Sequence, residues 1–266
     1  FIDQAIENGA VCIVYTDEIK QKKAGIEYIR VEDATEAYVS FCNAYYGHPL
    51  DQMNVIGITG TNGKTTIAWI LRSLIAHYTG CGYIGTLGYS VDGSISDSGL
   101  NLTTPKSDEL FRIGKEMIEN GCTTLVMEAS SEGLLTKRLE QVSFSTAVFN
   151  NLSGDHFDIH GDMESYFQAK CLLFAKLNED GTAIINLDDA YGKRLSDLDS
   201  HRHVSYGLDT EADYRAVNIE LYDDHSEFDL LYQNQIFHVH TDMPAKFNIY
   251  KLLAVIAVMK ENPYKL

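Results

Sequence analysis

A glycine-rich turn between an apolar run and an amphipathic segment constrains the fold of this chain more than any other feature. The apolar run begins at Asn54, three glycines follow at three-residue spacing, and a Lys-Thr-Thr triplet comes directly after them. Residues 67–77 then carry apolar side chains at the spacing of one helix face. Glycine lets the backbone close around an anion, so that N–H groups and a helix N-terminus point at phosphate oxygens. The order of strand, tight loop and helix therefore predicts a site for nucleotide phosphates.

The spacing of this loop is a variant of the common phosphate-binding pattern. A strict G-x-x-x-x-G-K-[ST] needs glycine at position 58, where this chain has Ile58, and the chain instead reads G-x-x-G-x-x-G-K-T. In this pattern Lys64 reaches the β- and γ-phosphates and the Thr65 hydroxyl binds Mg²⁺. The alternative is a glycine-rich turn without a ligand. The ordered combination of strand, glycines, Lys-Thr and helix favours the nucleotide site.

Composition narrows the range of partners. The formal net charge of -17 over 266 residues argues against a general nucleic-acid or anionic-membrane surface. A polyanionic ligand must then be held by a few local cations and metal ions. The sequence has no apolar run long enough for a transmembrane segment and no visible signal peptide. Its five cysteines are widely spread without a C-x-x-C, as in reduced proteins, so we expect a cytoplasmic location.

The pattern of apolar residues predicts an α/β protein with two parts. Residues 1–48 contain two short strands (11–15 and 26–31) and a helix (35–46), and we interpret them as the remnant of a small α/β N-terminal domain. Residues 49–266 are predicted to form the phosphate-binding domain, with a mainly parallel sheet flanked by helices. Alternation with period two between 214 and 240 predicts antiparallel strands at the edge of that sheet. Because the chain starts with Phe1 and ends just past a helix, we expect both ends to be cut.

Within the second part, we predict further elements between the loop helix and the antiparallel edge. They are strands at 81–86, 123–127, 144–149 and 182–187, a hairpin through 89–93, helices at 107–119 and 163–177, a short helix after 132, a helix from about 188, and a last apolar helix at 247–259.

Three polar features follow or join these buried segments. The loop 150–161 contains two histidines, two aspartates and two asparagines after a strand, so it is either a metal site or a helix-capping turn. Glu128 ends an apolar strand, and beside a phosphate loop it is placed to hold Mg²⁺, whereas the alternative is a carboxylate at a helix N-terminus. Lys170 stands among apolar and aromatic neighbours on one helix face. Either its stem covers apolar surface while its head reaches water, or its charge is neutralised or paired.

Six motifs follow one another along the chain. They are Thr-Gly-Thr-Asn-Gly-Lys-Thr-Thr at 59–66, Asn-Leu-Thr-Thr-Pro at 101–105, Met-Glu-Ala-Ser-Ser at 127–131, Asn-Leu-Ser-Gly-Asp-His-Phe-Asp-Ile-His-Gly at 151–161, Tyr-Phe-Gln-Ala-Lys at 166–170 and Phe-Asn at 247–248. Taken together, they resemble the Mur ligase family, and most closely its UDP-N-acetylmuramoyl-tripeptide synthetase branch.

The resemblance implies an ATP-dependent amide ligase of peptidoglycan biosynthesis. Such an enzyme adds the third amino acid to UDP-N-acetylmuramoyl-L-alanyl-D-glutamate through an acyl phosphate, with ATP as co-substrate and two Mg²⁺ ions. Its partners would be the UDP-sugar-peptide and an amino acid, without nucleic acid or membrane, and we expect a monomer.

The resemblance also implies roles for individual residues. Lys170 would be N6-carboxylated, so that its cation becomes a carboxylate that supports Mg²⁺, and it would be catalytic together with Lys64 and His156. The implied ATP-binding residues are Gly60, Thr61, Asn62, Gly63, Lys64, Thr65, Thr66 and Asn248. The implied metal ligands are Thr65, Glu128, His156 and Lys170. The implied substrate-binding residues are Thr103, Thr104, Ser130 and Arg138.

The chain departs from the family pattern at three positions. Glu132 stands where related enzymes often carry His, Thr136 where some carry Gln, and Lys251 where a second Asn is frequent. The family's C-terminal domain lies outside these 266 residues, so we expect the chain alone to be inactive. Two other functions stay open, namely a related ligase of the folylpolyglutamate or poly-γ-glutamate synthetase type, and a non-catalytic nucleotide-binding module.

Overall fold

A ten-stranded mixed sheet forms the centre of the protein. The computed structural model describes residues 1–19, 21–96, 102–154 and 160–262. Its strands are β1 Cys12–Tyr15, β2 Glu27–Arg30, β3 Asn54–Thr59, β4 Gly80–Gly85, β5 Gly88–Ser90, β6 Cys122–Glu128, β7 Phe144–Phe149, β8 Leu177–Asn186, β9 Arg202–Gly207, β10 Tyr214–Leu221, β11 Ser226–Tyr232 and β12 Gln235–Thr241. Its α-helices are α1 Ile2–Glu7, α2 Ala34–Tyr45, α3 Lys64–Ile75, α4 Ser107–Glu119, α5 Ser131–Leu135, α6 Met163–Phe174, α7 Ala190–Leu198 and α8 Lys246–Glu261, with a 3-10 turn at Leu50–Gln52.

The strand order of the large sheet is β12-β11-β10-β9-β8-β7-β3-β6-β4-β5. The pairs from β4 through β6, β3, β7, β8 and β9 to β10 are parallel, whereas β10-β11, β11-β12 and β4-β5 are antiparallel. The predicted fold class, a mainly parallel sheet flanked by helices with an antiparallel edge, is therefore confirmed.

Alternate residues of the central strands face two separate cores. In β3, Val55 belongs to the core beneath α4, α5 and α6, whereas Ile56 and Ile58 belong to the core beneath α3 and α8. Side chains of a strand alternate between faces, and a parallel sheet covered on both faces needs apolar residues on each. The continuous apolar runs at the centre of the sequence follow from this double burial.

Residues 1–48 form their own small sheet beside the large one. Strands β1 and β2 pair in parallel, and helix α2 begins with Asp33, whose side chain accepts hydrogen bonds from the first turn. Lys137 lies 2.5 Å from carboxylate oxygens of both Asp33 and Glu36, and Val39 is buried in the core shared with α4. The division of the chain at residue 48 stays a prediction.

The structure corrects several predicted elements. The loop helix begins at Lys64 rather than at residue 67 and ends at Ile75, because Gly63 in the left-handed conformation turns the chain directly into it. The helix predicted over 163–177 ends at Phe174, since Leu177 already begins β8, which is longer than predicted. The chain reverses twice in this region. A tight turn at residues 86–87, which the sequence did not reveal, joins β4 to β5. The predicted hairpin at 89–93 is the second reversal, closed by a β-bridge between Tyr89 and Ser96.

Strand β9 was missed altogether. It pairs in parallel with β8, but its sequence Arg-His-Val-Ser-Tyr-Gly mixes polar and apolar residues, and its first two side chains are exposed or half-buried. Its pairing with two neighbours, and not its composition, makes it a strand. None of the described helices has the length and apolar character needed to cross a membrane.

The close packing of α7 on the end of β8 generates a stability prediction. A Cβ atom at Gly192 would overlap the backbone carbonyl oxygen of Asn186. Alanine normally favours a helix over glycine by about 1 kcal/mol. Here we expect Gly192→Ala to lower the free energy of unfolding by about 3 kcal/mol through overpacking, measured by chemical denaturation. The exposed neighbour Lys193 is the control, because Lys193→Ala should change stability by less than about 0.5 kcal/mol. A Gly192→Ala protein as stable as the wild type would contradict the close approach.

Candidate active site

The phosphate loop connects the central strand β3 to the N-terminus of α3. Gly63 has φ 87°, a conformation that side chains disfavour, and a Cβ there would lie 2.8 Å from the Asn150 amide nitrogen. The Lys64 ammonium folds back over the loop and donates to the carbonyl oxygens of Gly60 at 2.8 Å and Thr61 at 3.2 Å. The loop therefore presents a helix N-terminus and a cation at the carboxyl end of a parallel sheet, where ligands of such sheets bind.

Two asparagines at the end of β7 hold this loop in shape. The Asn150 side chain donates to the Asn62 carbonyl oxygen at 2.8 Å, and the Asn62 N–H donates to the Asn151 side chain at 2.9 Å. The Asn151 carbonyl oxygen accepts from the Thr61 N–H at 2.9 Å. The sequence left this stretch open between metal binding and capping, and in the structure these two residues anchor the loop. Sequence reasoning did not find this role, because the partners of both side chains lie on the phosphate loop, far away along the chain.

Glu128 lies at the end of β6, beside the first turn of α3, and is fully buried. Its Oε2 accepts from the Thr65 hydroxyl at 2.9 Å, and its Oε1 accepts from the Tyr83 hydroxyl at 2.7 Å and the Thr86 N–H at 3.0 Å. Burial, with the neighbouring Glu128 carboxylate, raises the pKa of the Tyr83 phenol, so it stays a donor. A hydroxyl and a carboxylate oxygen in contact at a phosphate loop are hard ligands that fit Mg²⁺. The predicted pair Thr65 and Glu128 is brought together.

A cavity of about 700 Å³ opens between the loop and the start of α8. Its lining residues are Asn62, Gly63, Thr65, Thr66, Asn150, Asn151, Asn186, Asp188, Asp189, Phe247, Tyr250 and Lys251. Such a volume is in the range of small-molecule sites. The sequence analysis assigned the loop side of this cavity and Asn248 to ATP, but it gave no role to the aromatic side chains of Phe247 and Tyr250 in the cavity wall.

Asn248, which the resemblance assigns to ATP, is bonded at the start of α8. Its amide donates to the Pro244 carbonyl oxygen at 2.6 Å, and its oxygen accepts from the Lys251 ammonium at 3.0 Å. Lys251 itself lines the cavity, 4.7 Å from the centre of the Phe247 ring, and burial lowers its pKa. Asn248 thus orients the Lys251 ammonium, which lies over the Phe247 ring at the cavity wall.

Asp188 closes another side of the cavity. Burial raises the pKa of this carboxyl, but hydrogen bonds outweigh burial and lower the pKa to about 2. The donors are the backbone N–H groups of Leu208, Asp209 and Thr210 and the hydroxyl of Tyr250. This carboxylate therefore joins the end of β9 to α8 and shapes the cavity wall.

The four predicted substrate residues form one cluster next to Glu128. The fully buried Thr104 hydroxyl donates to the Glu128 carbonyl oxygen at 3.0 Å and accepts from the Ser130 hydroxyl at 2.9 Å. The Arg138 guanidinium donates to the Thr104 carbonyl oxygen at 2.9 Å, and the Thr103 hydroxyl lies 3.1 Å from the Thr86 hydroxyl, itself bonded to Glu128. The Thr104 hydroxyl is fully engaged, so it shapes the cluster from inside.

Lys170 is buried on α6, with only 1% of its surface exposed. The interpretation in which its head reaches water is therefore wrong. Its ammonium lies 4.3 Å from the centre of the Tyr166 ring, and that ring stacks on His160 at 4.7 Å. The Tyr166 hydroxyl is 3.4 Å from the Thr61 hydroxyl, and His160 Nε2 is 2.9 Å from the Ser131 hydroxyl. Tyr166 thus links the surroundings of Lys170 to the phosphate loop.

His156, predicted as a catalytic residue and metal ligand, lies outside the described residues, together with the rest of 155–159. Of the loop 150–161, the structure describes 150–154 and 160–161.

Fold and loop together define a class, an α/β domain that binds nucleotide phosphates at the carboxyl end of a parallel sheet. The sequence profile of the Mur ligase middle domain matches residues 58–259, and the chain belongs to this family.

Several relatives cover almost the whole chain. UDP-N-acetylmuramoyl-L-alanyl-D-glutamate--2,6-diaminopimelate ligase of Chlamydia muridarum is 36% identical over 260 residues, which are 97% of this chain and 53% of that protein. UDP-N-acetylmuramyl-tripeptide synthetase 2 of Oceanobacillus iheyensis is 36% identical over 262 residues, again 97% of this chain and 53% of the relative. A solved structure of a UDP-N-acetylmuramoyl-L-alanyl-D-glutamate--2,6-diaminopimelate ligase superposes with a TM-score of 0.82 at 27% identity, covering 97% of this chain and 53% of that one. The chain spans about half the length of these relatives.

The carboxylate of Asp188 generates a prediction on pH dependence. Its lowered pKa means that the charged form stabilises the fold above about pH 4, and that this stability is lost as the pH falls towards about 2. We expect Asp188→Asn to lower the free energy of unfolding at pH 7 by about 1 kcal/mol, a value reduced for partial exposure. Denaturation curves of variant and wild type should converge between about pH 4 and pH 2. A difference that is the same at every pH would contradict the assigned role of the charge.

Proposed function

We propose that this chain is the ATP-binding part of an ATP-dependent amide ligase. The ligase adds the third amino acid to UDP-N-acetylmuramoyl-L-alanyl-D-glutamate in peptidoglycan biosynthesis. The observation that carries the proposal is the contact of the Thr65 hydroxyl, which lines the cavity of about 700 Å³, with the buried Glu128 carboxylate. The names of the relatives with 36% identity support the substrate class.

The reaction proceeds in two steps that avoid direct displacement on a carboxylate, which is a poor acyl donor. A carboxylate oxygen of the acceptor attacks the γ-phosphorus of ATP, the bond to the β-phosphate oxygen breaks, and an acyl phosphate and ADP form. The amino group of the incoming amino acid then attacks the acyl carbon, inorganic phosphate leaves from the tetrahedral intermediate, and the nitrogen loses a proton. All reacting groups except the amine are anionic, so positioning and charge neutralisation do most of the work.

The residues of this chain serve the first step. Lys64 and the N–H groups at the start of α3 neutralise and orient the β- and γ-phosphates. Thr65 and Glu128 would hold one Mg²⁺, and His156 with a carboxylated Lys170 would support a second. Bound there, the metal supplies charge neutralisation for the phosphates and the acceptor carboxylate. The aromatic and cationic wall formed by Phe247 and Lys251 is suited to the base of the nucleotide.

Carboxylation of Lys170 is implied by the family resemblance, and the burial of this side chain beside the Tyr166 ring supports it. The neutral amine adds to CO₂, an N–C bond forms, and one proton is released, which leaves a carbamate anion. The carbamate anion would need a cation nearby, and a metal ion beside the phosphate loop would be that cation.

The cluster next to Glu128 is the proposed site for the UDP-sugar-peptide. Thr103 and Arg138 offer hydroxyl and guanidinium donors, while Thr104 holds Ser130 and Arg138 in place. We assign residues 1–48 to the end of the domain that binds the UDP group, and 49–266 to the ATP-binding domain. The ion pairs of Lys137 with Asp33 and Glu36 support a fixed contact between the two.

The role of the loop lysine can be tested by binding alone, which does not require the full ligase. We expect Lys64→Ala to weaken binding of Mg²⁺-ATP by about 10- to 100-fold, because it removes a charge-assisted hydrogen bond to phosphate. Calorimetric titration of the 266-residue chain measures this. Lys260→Ala, at an exposed position of α8, is the control and should leave the affinity unchanged. Unchanged ATP affinity in Lys64→Ala would remove the loop from the mechanism.

Carboxylation of Lys170 has a separate test in the full-length ligase. We expect Lys170→Ala to reduce turnover by about 10²- to 10³-fold through lost electrostatic stabilisation, while ATP affinity changes little. Short carboxylic acids should restore part of the activity by occupying the space of the missing carbamate. Lys193→Ala is the control on an exposed site. Restoration by neutral amides as well as by carboxylates, or wild-type turnover in Lys170→Ala, would contradict carboxylation.

A further inference from the structure

The outer face of the β11–β12 hairpin, far along the sheet from the phosphate loop, carries histidines and carboxylates at alternate positions. Glu227 of β11 is paired directly opposite His240 of β12. His225 directly precedes β11, and its imidazole lies on the same face, beside Glu227 and His240. The opposite face of β11, with Phe228 and Leu230, is buried in the core. The histidine face is therefore the solvent side of a firmly packed strand.

Three side chains on this face converge on one point. One ligand atom from each of His225, Glu227 and His240 lies within 4.8 Å of the other two. Oε1 of Glu227 is 3.2 Å from His240 Nδ1 and 4.0 Å from His225 Nε2. The two imidazole rings are 4.9 Å apart between centroids. A single ion placed among these atoms could contact all three with small side-chain adjustments.

The other nitrogen of each imidazole faces a carboxylate of its own. Nδ1 of His225 is 2.6 Å from Oδ1 of Asp224, and Nε2 of His240 is 3.5 Å from Oδ1 of Asp242. A histidine that binds a metal commonly donates its second N–H to a carboxylate, which sets the tautomer and the ring orientation. Both histidines thus have an outer carboxylate on one nitrogen and the shared Glu227 on the other.

We propose that His225 Nε2, the Glu227 carboxylate and His240 Nδ1 bind a divalent transition-metal ion of the zinc type. Two imidazoles and one carboxylate are a ligand set that zinc uses, with a fourth position for water. Imidazole favours zinc over Mg²⁺, which prefers oxygen ligands, so the site differs in chemistry from the phosphate loop. The side chains of His225 and His240 are 25% and 54% exposed, and an ion can reach them from solution.

Binding here would clamp the two outermost strands of the sheet. Ligands come from the start of β11 and from β12, the edge strand, so one ion would close the open end of the hairpin. An exposed edge strand is the part of a sheet most prone to fraying and to pairing with other chains. The alternative is that these side chains form only surface ion pairs, which contribute little to stability.

The test uses the 266-residue chain, stripped of metal with a chelator and titrated with Zn²⁺ by calorimetry. We expect one zinc ion to bind in the presence of excess Mg²⁺. His225→Asn and His240→Asn should each weaken that binding at least about tenfold, and Asp224→Asn, which changes only an outer carboxylate, about tenfold. His77→Asn, at an exposed histidine just past the C-terminal end of α3, is the matched control and should bind as the wild type does.

A second readout separates a site from loose surface binding. Zinc that binds the folded hairpin should raise the melting temperature of the wild type and of His77→Asn, but not that of His240→Asn. Zinc binding of equal affinity in both histidine variants, or no zinc binding by the wild type, would overturn the proposal. None of these measurements involves ATP, so their outcome is independent of the proposed ligase activity.

Discussion

The hydrogen bond between the Thr65 hydroxyl and the buried Glu128 carboxylate is the interaction on which the arrangement of the site depends. A fully buried carboxylate is costly unless donors surround it, and here donors arrive from three elements. Thr65 comes from the first turn of α3, Tyr83 from β4, and Thr86 from the turn that follows. One charge thereby joins the phosphate loop to two neighbouring strands. The Thr65 hydroxyl and the Glu128 carboxylate also form a pair of hard oxygen ligands where the phosphates of a nucleotide would bind.

The sequence predicted those parts of the fold and site that local patterns determine. The helix over 107–119 and the strand over 144–149 match the structure residue for residue. An amphipathic helix has apolar residues at helical spacing, and a buried strand has a short apolar run, so both can be recognised in the sequence. Strand β9 was missed because partners on both sides impose its conformation on a mixed sequence. For the same reason, the loop-holding role of Asn150 and Asn151 was out of reach without tertiary structure. Their side chains act across about ninety residues of sequence, with separations of 88 and 89.

The acidic character of the protein makes the cations at the site informative. With a formal net charge of -17, the molecule as a whole repels polyanions. Three half-buried cations are held by oxygen atoms at the site: Lys64 over the loop, Lys251 in the cavity wall, and Arg138, which contacts the Thr104 carbonyl oxygen and the Glu132 carboxylate. Contacts of this kind hold the cationic side chains in fixed positions before a ligand arrives, so these side chains lose less conformational freedom on binding. Affinity for a polyanion would then come from placement rather than from net charge.

Two environments for cations in one chain also differ in what they select. At the phosphate loop the available atoms are the Thr65 hydroxyl, which lines the cavity, and the Glu128 carboxylate behind it, and a bound nucleotide would supply further phosphate oxygens. Oxygen ligands of that kind hold Mg²⁺ together with a nucleotide and release it when the nucleotide leaves. On the β11–β12 hairpin the atoms are two imidazoles and a carboxylate on one face of two paired strands. That set needs no nucleotide to complete it, and imidazole nitrogen favours a softer ion. The loop is therefore suited to an ion that comes and goes with the substrate, and the hairpin to one that stays with the fold.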